Sequence, residues 1–247
     1  MNDATSGRRS VAYFGGSFDP PHLGHLAVAR AARQALGLDR VLFAPVGTQP
    51  LKPRGASASF ADRVAMTRLA IEDEPGFELS LEDAPKPEGA PNYSVETLEE
   101  LRRALPSGCA LYLLMGADSF FGLRRWHRAA EIPFVAPLIV ASRPGQPLDG
   151  LKAALPAGLT MEAAPAPLET HAGVAICPFL LRSRAGANAP FYLLPGLDVK
   201  ISASQIRAQI RSQIREQTRM AKGGELPERR LIPAGVAGYI RAHGLYR

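Results

Sequence analysis

A short apolar run, Val11-Ala12-Tyr13-Phe14, leads directly into Gly15-Gly16-Ser17-Phe18-Asp19-Pro20-Pro21-His22-Leu23-Gly24-His25, and an alanine-rich stretch from Leu26 to Ala32 follows. Strand, glycine turn and helix in that order constrain the fold more than any other segment, because an α/β chain starts a parallel sheet this way. Gly15 and Gly16 leave room for a ligand to approach the backbone closely, where a Cβ would clash. A helix beginning near His22 would present unpaired N–H groups and its positive dipole end to an anion. His22 and His25 are three residues apart, so both imidazoles lie on one face of the first turn. The combination suits a polyphosphate. Histidines that merely cap or pack the turn are the competing reading, and eleven residues in this order weigh against it. No Gly-x4-Gly-Lys-Ser/Thr loop is present, which disfavours a P-loop ATPase.

The rest of the first half alternates strand and helix signals, as a parallel sheet with crossover helices requires. Strands are expected at Val11–Phe14, Arg40–Ala44, Phe77–Leu81, Ala110–Met115 and Leu138–Ala141. Helices are expected at His22–Leu36, Ser59–Glu74, Ser94–Ala104 and, as a shorter piece, within Ala117–Ala130. Ligands of such sheets bind beyond the carboxyl ends of the strands. Gly15, Pro45 and Gly116 all follow strand ends, so their loops are expected on one rim. Residues 144–170 are rich in proline, alanine and glycine and read as a surface excursion. Apolar runs return at Gly173–Cys177 and Phe191–Leu194, a late strand and its lead-in, with a loop over 182–188. The chain turns helical from Ser202, breaks at Gly223-Gly224 and ends in a short helix near Ala234–His243.

The opening element resembles the signature of the nucleotidyltransferases that carry an HxGH motif. Its double glycine and Pro-Pro-His form resemble most closely the bacterial nicotinate-mononucleotide adenylyltransferases. That resemblance implies an α/β fold, a Rossmann-like doubly wound parallel sheet with a small C-terminal helical part. The expected division is a nucleotidyltransferase α/β domain over 1–200 and a helical subdomain over 201–247 that completes the phosphate site. It implies transfer of AMP from ATP to nicotinate mononucleotide, giving nicotinate adenine dinucleotide and pyrophosphate in NAD synthesis. Mg2+ would be carried with ATP, and no metal site built from protein carboxylates is expected. ATP contacts are then expected from Gly15, Gly16, Ser17, Phe18, His22 and His25, with His25 as the transition-state partner. Asp19 reads as a turn-former.

Ile201-Ser202-Ala203-Ser204-Gln205-Ile206-Arg207 is a second chemical motif. Serines ahead of a helical run are N-cap residues, and Arg207 one turn on can reach the same anion in a forked contact. The segment resembles the family's Ile-Ser-Ser-Thr-x-Ile-Arg element, which assigns Ser202, Ser204 and Arg207 to the ATP phosphates. Ala203 and Ser204 depart from that pattern. Alone, the same residues would be an ordinary helix cap.

Acceptor recognition is expected from the middle of the chain. Asn92-Tyr93-Ser94-Val95-Glu96-Thr97-Leu98 resembles the family's nicotinate-end segment, which assigns Tyr93 and Thr97 to the acceptor. Ser94 also reads as an N-cap, and Glu96 suits a positive helix start. Met115-Gly116-Ala117-Asp118 resembles the family's Gly-Ala-Asp, and Asp118 could hydrogen-bond a ribose or cap a helix. Trp126, the only tryptophan, could stack on a pyridine ring or fill the core. Lys52 could place charge near phosphate, with Leu51 standing where the family commonly has histidine. Arg63 and Met66 continue a family-like Arg-x-x-Met pattern and read as helix packing.

Net charge is +6 but uneven: ten Lys or Arg against three Glu lie from Lys200 to Arg247, an excess of seven. Arg207, Arg211, Arg215 and Arg219 would form one helical stripe. A solvated face is favoured over nucleic-acid binding, because no aromatics interleave as stacking platforms. No 18-residue apolar run or signal core occurs, so a cytoplasmic protein without membrane partners is expected. Cys109 and Cys177 lack metal or disulfide spacing and read as small buried residues. Homo-oligomerisation stays open. So do a related adenylyl- or cytidylyltransferase using nicotinamide mononucleotide or phosphopantetheine, and a non-catalytic nucleotide- or nucleic-acid-binding protein.

Overall fold

The computed structural model of the protein describes residues 9–52, 55–142, 148–163, 173–197, 201–219 and 231–247, with side chains described for these except 148–149 and 213–219. The elements run β1 (Ser10–Gly16), α1 (Leu23–Leu36), β2 (Arg40–Pro45), α2 (Phe60–Ile71), β3 (Phe77–Leu79), α3 (Ser94–Ala104), β4 (Ala110–Gly116), α4 (Ala117–Gly122), α5 (Ile132–Val135) and β5 (Leu138–Ala141). They continue with α6 (Leu148–Ala153), β6 (Leu159–Ala163), β7 (Cys177–Ser183), β8 (Asn188–Leu194), α7 (Ala203–Arg219) and α8 (Ala234–His243). Eight strands form one sheet in the order β3-β2-β1-β4-β5-β8-β7-β6. This is an α/β fold, as the alternation of strand and helix signals implies.

The sheet is mixed rather than wholly parallel. β1–β4, β4–β5 and β5–β8 pair parallel, with Tyr13 beside Leu113, Gly116 beside Ala141 and Ile139 beside Tyr192. β8–β7 and β7–β6 pair antiparallel. The expected loop over 182–188 is a hairpin turn: the Ser183 N–H reaches the Ala187 carbonyl, and Gly186 takes a φ of 83° that a side chain would resist. Within the 144–170 excursion lie α6 and, against expectation, the edge strand β6. In β6 only Met161 is buried, so the sequence carries little alternating apolar signal there. By contrast β5, Leu138-Ile139-Val140-Ala141, is buried throughout and reads as a continuous apolar run.

Helix ends follow their local chemistry. Ser59 caps α2 by accepting the Asp62 N–H at 3.1 Å. α3 starts at Ser94 with Tyr93 in the cap position, so the expected Ser94 cap is one residue displaced. The helical piece expected within 117–130 stops at Gly122, and a single 3-10 turn over Leu123–Arg125 follows. α8 closes on Gly244 in the left-handed conformation. The break expected at Gly223-Gly224 lies outside the described residues.

Two compact units emerge. One draws on Met1–Gly15, Val28–Leu42 and Tyr93–Asp198, the other on Gly16–Ala27, Phe43–Asn92 and Val199–Arg247, each counted over its described residues. Core side chains of the first include Leu114, Phe120, Leu138, Ile139 and Phe191, and of the second Phe18, Phe43, Met66 and Val236. Among the described residues, no helix is long and apolar enough to cross a membrane.

Candidate phosphate site and acceptor residues

Gly15 is glycine for a reason internal to the protein. A Cβ there would stand 2.8 Å from the ring and hydroxyl of Tyr13, which is itself buried. The position therefore stays bare whether or not a ligand approaches. Gly16 and Gly116 end the neighbouring parallel strands β1 and β4.

The second unit holds the turn itself and most of the chemistry. Phe18 is fully buried at a φ of +46°, a strained conformation for a bulky residue, held by its packing on Phe43 and edge-on against the His25 ring at 4.9 Å. His22 precedes the first residue of α1, and its carbonyl accepts the His25 and Leu26 N–H groups. In return, the His22 N–H donates to His25 Nδ1 at 3.2 Å. With Nδ1 accepting, the neutral His25 ring carries its proton on Nε2, where it is a donor. The two rings stack 3.6 Å apart with planes 19° from parallel.

Both imidazoles are held neutral. Burial lowers the His22 pKa from 6.5 to about 4. Burial, then the closeness of the His22 ring and of the Lys52 ammonium, push the His25 pKa well below its ordinary value. The buried Nδ1 of His22 has no hydrogen-bond partner among the described residues. An orphaned polar atom of this kind costs free energy unless a ligand completes it.

Cations close in on the turn. Lys52 Nζ donates to Ser17 Oγ at 2.6 Å, and that hydroxyl donates in turn to Gln49 Oε1 at 3.0 Å. Although Lys52 is exposed as a residue, its ammonium is crowded by protein, and its pKa falls through that burial and then the charge of Arg207. Arg63, expected to be helix packing, is buried and donates from Nη1 to the Ser17 carbonyl at 2.8 Å, so it clamps the turn instead. Met66 does pack, fully buried.

Asp19 organises this group far more than a turn-former would. It is 3 % exposed, and its carboxylate accepts the Ser57 N–H at 2.6 Å, the Ala58 N–H at 3.0 Å and the Tyr246 hydroxyl at 2.8 Å. Arg207 donates to the Asp19 carbonyl and lies 3.5 Å from the carboxylate, a longer approach than those three. Ser202 caps α7: its hydroxyl accepts the Gln205 N–H at 3.2 Å, while Gln205 reaches back to the Ser202 N–H. Ser204 is exposed in the first turn, where its hydroxyl accepts from Arg207 Nη2 at 3.4 Å. Gln49, Arg63 and Tyr246 join this group with no local sequence signal that marks them for it.

The structure thus brings Ser17, Phe18, His22, His25, Lys52, Ser204 and Arg207 into one compact unit. Tyr93, Thr97, Asp118 and Trp126 belong to the other. There the Tyr93 ring lies 4.4 Å from that of His127. Thr97 is buried, with its hydroxyl 3.4 Å from the Tyr93 carbonyl. Asp118 is exposed in the first turn of α4, and Trp126 is half-buried at the end of the 3-10 turn. Arg128 ties Glu99 to Glu131 at 2.7 Å each, anchoring the segment after Trp126 to α3.

A glycine turn, stacked neutral imidazoles at a helix start and converging cations on an α/β sheet suit the binding of a polyphosphate. The cytidylyltransferase-like family model matches residues 13–209. A protein of Stenotrophomonas maltophilia (strain K279a), named a probable nicotinate-nucleotide adenylyltransferase, is 39% identical over 95% of this chain and 96% of its own. Its namesake from Solibacter usitatus (strain Ellin6076) is 34% identical over 96% and 98%. The chain belongs to the nicotinate-nucleotide adenylyltransferase family. The solved Plasmodium falciparum nicotinic acid mononucleotide adenylyltransferase complexed with NaAD shares the fold, with a TM-score of 0.65 at 13% identity over 96% of this chain and 97% of that one.

Proposed function

We propose that this protein transfers AMP from ATP to nicotinate mononucleotide, releasing pyrophosphate and forming nicotinate adenine dinucleotide. The observation that carries the reading is the stacked His22–His25 pair beside Lys52 and Arg207, together with the relatives' shared name.

An oxygen of the acceptor phosphate attacks the α-phosphorus of ATP, and the bond from that phosphorus to the α–β bridging oxygen breaks. The electron pair leaves with pyrophosphate. The nucleophile is already an anion, so no general base is needed, and catalysis rests on positioning and charge neutralisation. His25, donating from Nε2, would stabilise charge building at the α-phosphate. His22 Nδ1, buried without a partner, would be completed by the same polyphosphate. Arg207 and the α7 start with Ser202 and Ser204 would hold the β- and γ-phosphates, so that residues 201–247 complete the site. Ser202 spends its hydroxyl on its own helix and would contribute chiefly by fixing that helix start. Gly15, Gly16, Ser17 and Phe18 would offer backbone along the nucleotide, since the Phe18 ring is buried. Mg2+ carried with ATP would offset phosphate charge. Lys52, Tyr93, Thr97, Asp118 and Trp126 are assigned to the acceptor, with Trp126 stacking on the pyridine ring. These substrates suit a cytoplasmic setting.

The test is pyrophosphate release with ATP and Mg2+, comparing nicotinate mononucleotide, nicotinamide mononucleotide and phosphopantetheine as acceptors. Strong preference for the first is expected. Turnover only with another acceptor would overturn the pyridine assignment, and none with any of the three would overturn the reading.

A further inference from the structure

The cation group around the glycine turn contains one carboxylate, Asp19, and its partners come from three distant stretches of chain. Two oxygens receive three close donors: Ser57 N–H on Oδ2, and Ala58 N–H and the Tyr246 hydroxyl on Oδ1. A buried carboxylate demands such donors, because an unsatisfied charge there is costly. Arg207 is the fourth partner and the most distant, at 3.5 Å from Oδ2. Tyr246 is itself buried, and its hydroxyl also lies 3.9 Å from Met66 Sδ, so it is not free to turn elsewhere.

We propose that Tyr246 is a positioning residue for triphosphate binding: its hydroxyl satisfies Asp19, so that Arg207 is held beside the turn but remains available to an incoming anion. Without that hydroxyl, Asp19 Oδ1 loses a close donor in a buried setting. The nearest mobile donor is the Arg207 guanidinium, already bonded to the Asp19 carbonyl. It is drawn from a loose ion pair into a tight one, and a guanidinium spent on a carboxylate is lost to phosphate. Tyr246 thereby acts on ATP through Asp19 and Arg207, without touching the nucleotide. This rests on the phosphate site assigned under Proposed function.

Titration calorimetry of ATP with Mg2+ onto the full-length protein tests it, using wild type, Tyr246→Phe, Arg207→Ala and the double variant, alongside pyrophosphate release with nicotinate mononucleotide. Expected is a five- to tenfold weaker ATP affinity and a matching rise in KM for ATP in Tyr246→Phe, with kcat changed less than twofold. The same substitution made on Arg207→Ala should change ATP affinity less than twofold, because the mediator is gone. An equal loss on both backgrounds, or no loss on wild type, would overturn the inference while pyrophosphate release by the wild type keeps the activity. Coupled ATP binding without turnover would sustain the inference and sink the activity, and absence of ATP binding by the wild type would sink both. Should Tyr246→Phe fail to fold, Asp19→Asn on the same two backgrounds asks the converse: with no charge to draw Arg207 in, ATP affinity should not weaken. Its effect on ATP affinity must vanish with Arg207→Ala, or the inference falls.

Discussion

The imidazoles of His22 and His25 stack face to face, ring centroids 3.6 Å apart, while the backbone N–H of His22 donates into the His25 ring. Two rings this close cannot both carry a charge at small cost. The helix start therefore carries neutral imidazoles; in the phosphate site we propose, charge neutralisation would fall to Lys52 and Arg207, and the histidines would contribute directed hydrogen bonds.

Burial makes His22 a marker of pH-dependent stability. Its folded pKa of about 4 lies below the ordinary 6.5, so the unfolded chain takes up the proton first. Its contribution is fully present above pH 6.5 and is lost as pH falls toward 4, amounting to about 2 kcal/mol at pH 5. Denaturant unfolding at pH 7 and pH 5 should show a smaller drop for His22→Gln than for wild type. Equal drops would exclude His22 as the source.

Removing the donating ring should stop chemistry before it harms the fold. His25→Ala is expected to lower kcat about 100-fold, as loss of one charge-stabilising donor does. Thermal unfolding checks that the protein still folds. Unaltered turnover would remove His25 from the mechanism.

Trp126 should act on one substrate only. Trp126→Ala is expected to raise KM for nicotinate mononucleotide about three- to tenfold, the worth of an aromatic stack. KM for ATP should hold steady. A rise in both would mean that the ring supports the fold instead.

Gly47 offers a test free of any functional assignment. A Cβ there would lie 2.5 Å from the Pro85 nitrogen and 2.6 Å from its Cα, both backbone atoms that cannot swing aside. The Gly47 N–H also donates to the Asp83 carbonyl at 2.7 Å, fixing the approach. Gly47→Ala should cost about 2–3 kcal/mol and lower Tm by about 5–10 °C. Calorimetric melting decides it, and an unmoved Tm would contradict the close packing.

Local chemistry made much of this legible. The strands from Val11 to Ala141, the caps at Ser59 and Ser202, and the helix ending at Gly244 all declare themselves within a few neighbouring residues. The β7–β8 hairpin did not. Its strands are only partly buried, and a proline sits in each, Pro178 and Pro190, blurring the strand signal. Asp19 shows a different limit. Its motif marked the position, but its partners Ser57, Arg207 and Tyr246 are 38, 188 and 227 residues away. No spacing rule links residues so far apart, and only the folded chain joins them.

Those long separations bear on how the protein is made. A ribosome releases the glycine turn early, but the hydroxyl that satisfies Asp19 emerges more than two hundred residues later. Until then the nascent chain holds a carboxylate among cations without its full set of donors. The sheet strands can pair during synthesis, whereas the Asp19 cluster must wait for Tyr246, just beyond α8, to dock. The full donor set of Asp19, and with it the phosphate site we propose, is thus completed late in synthesis.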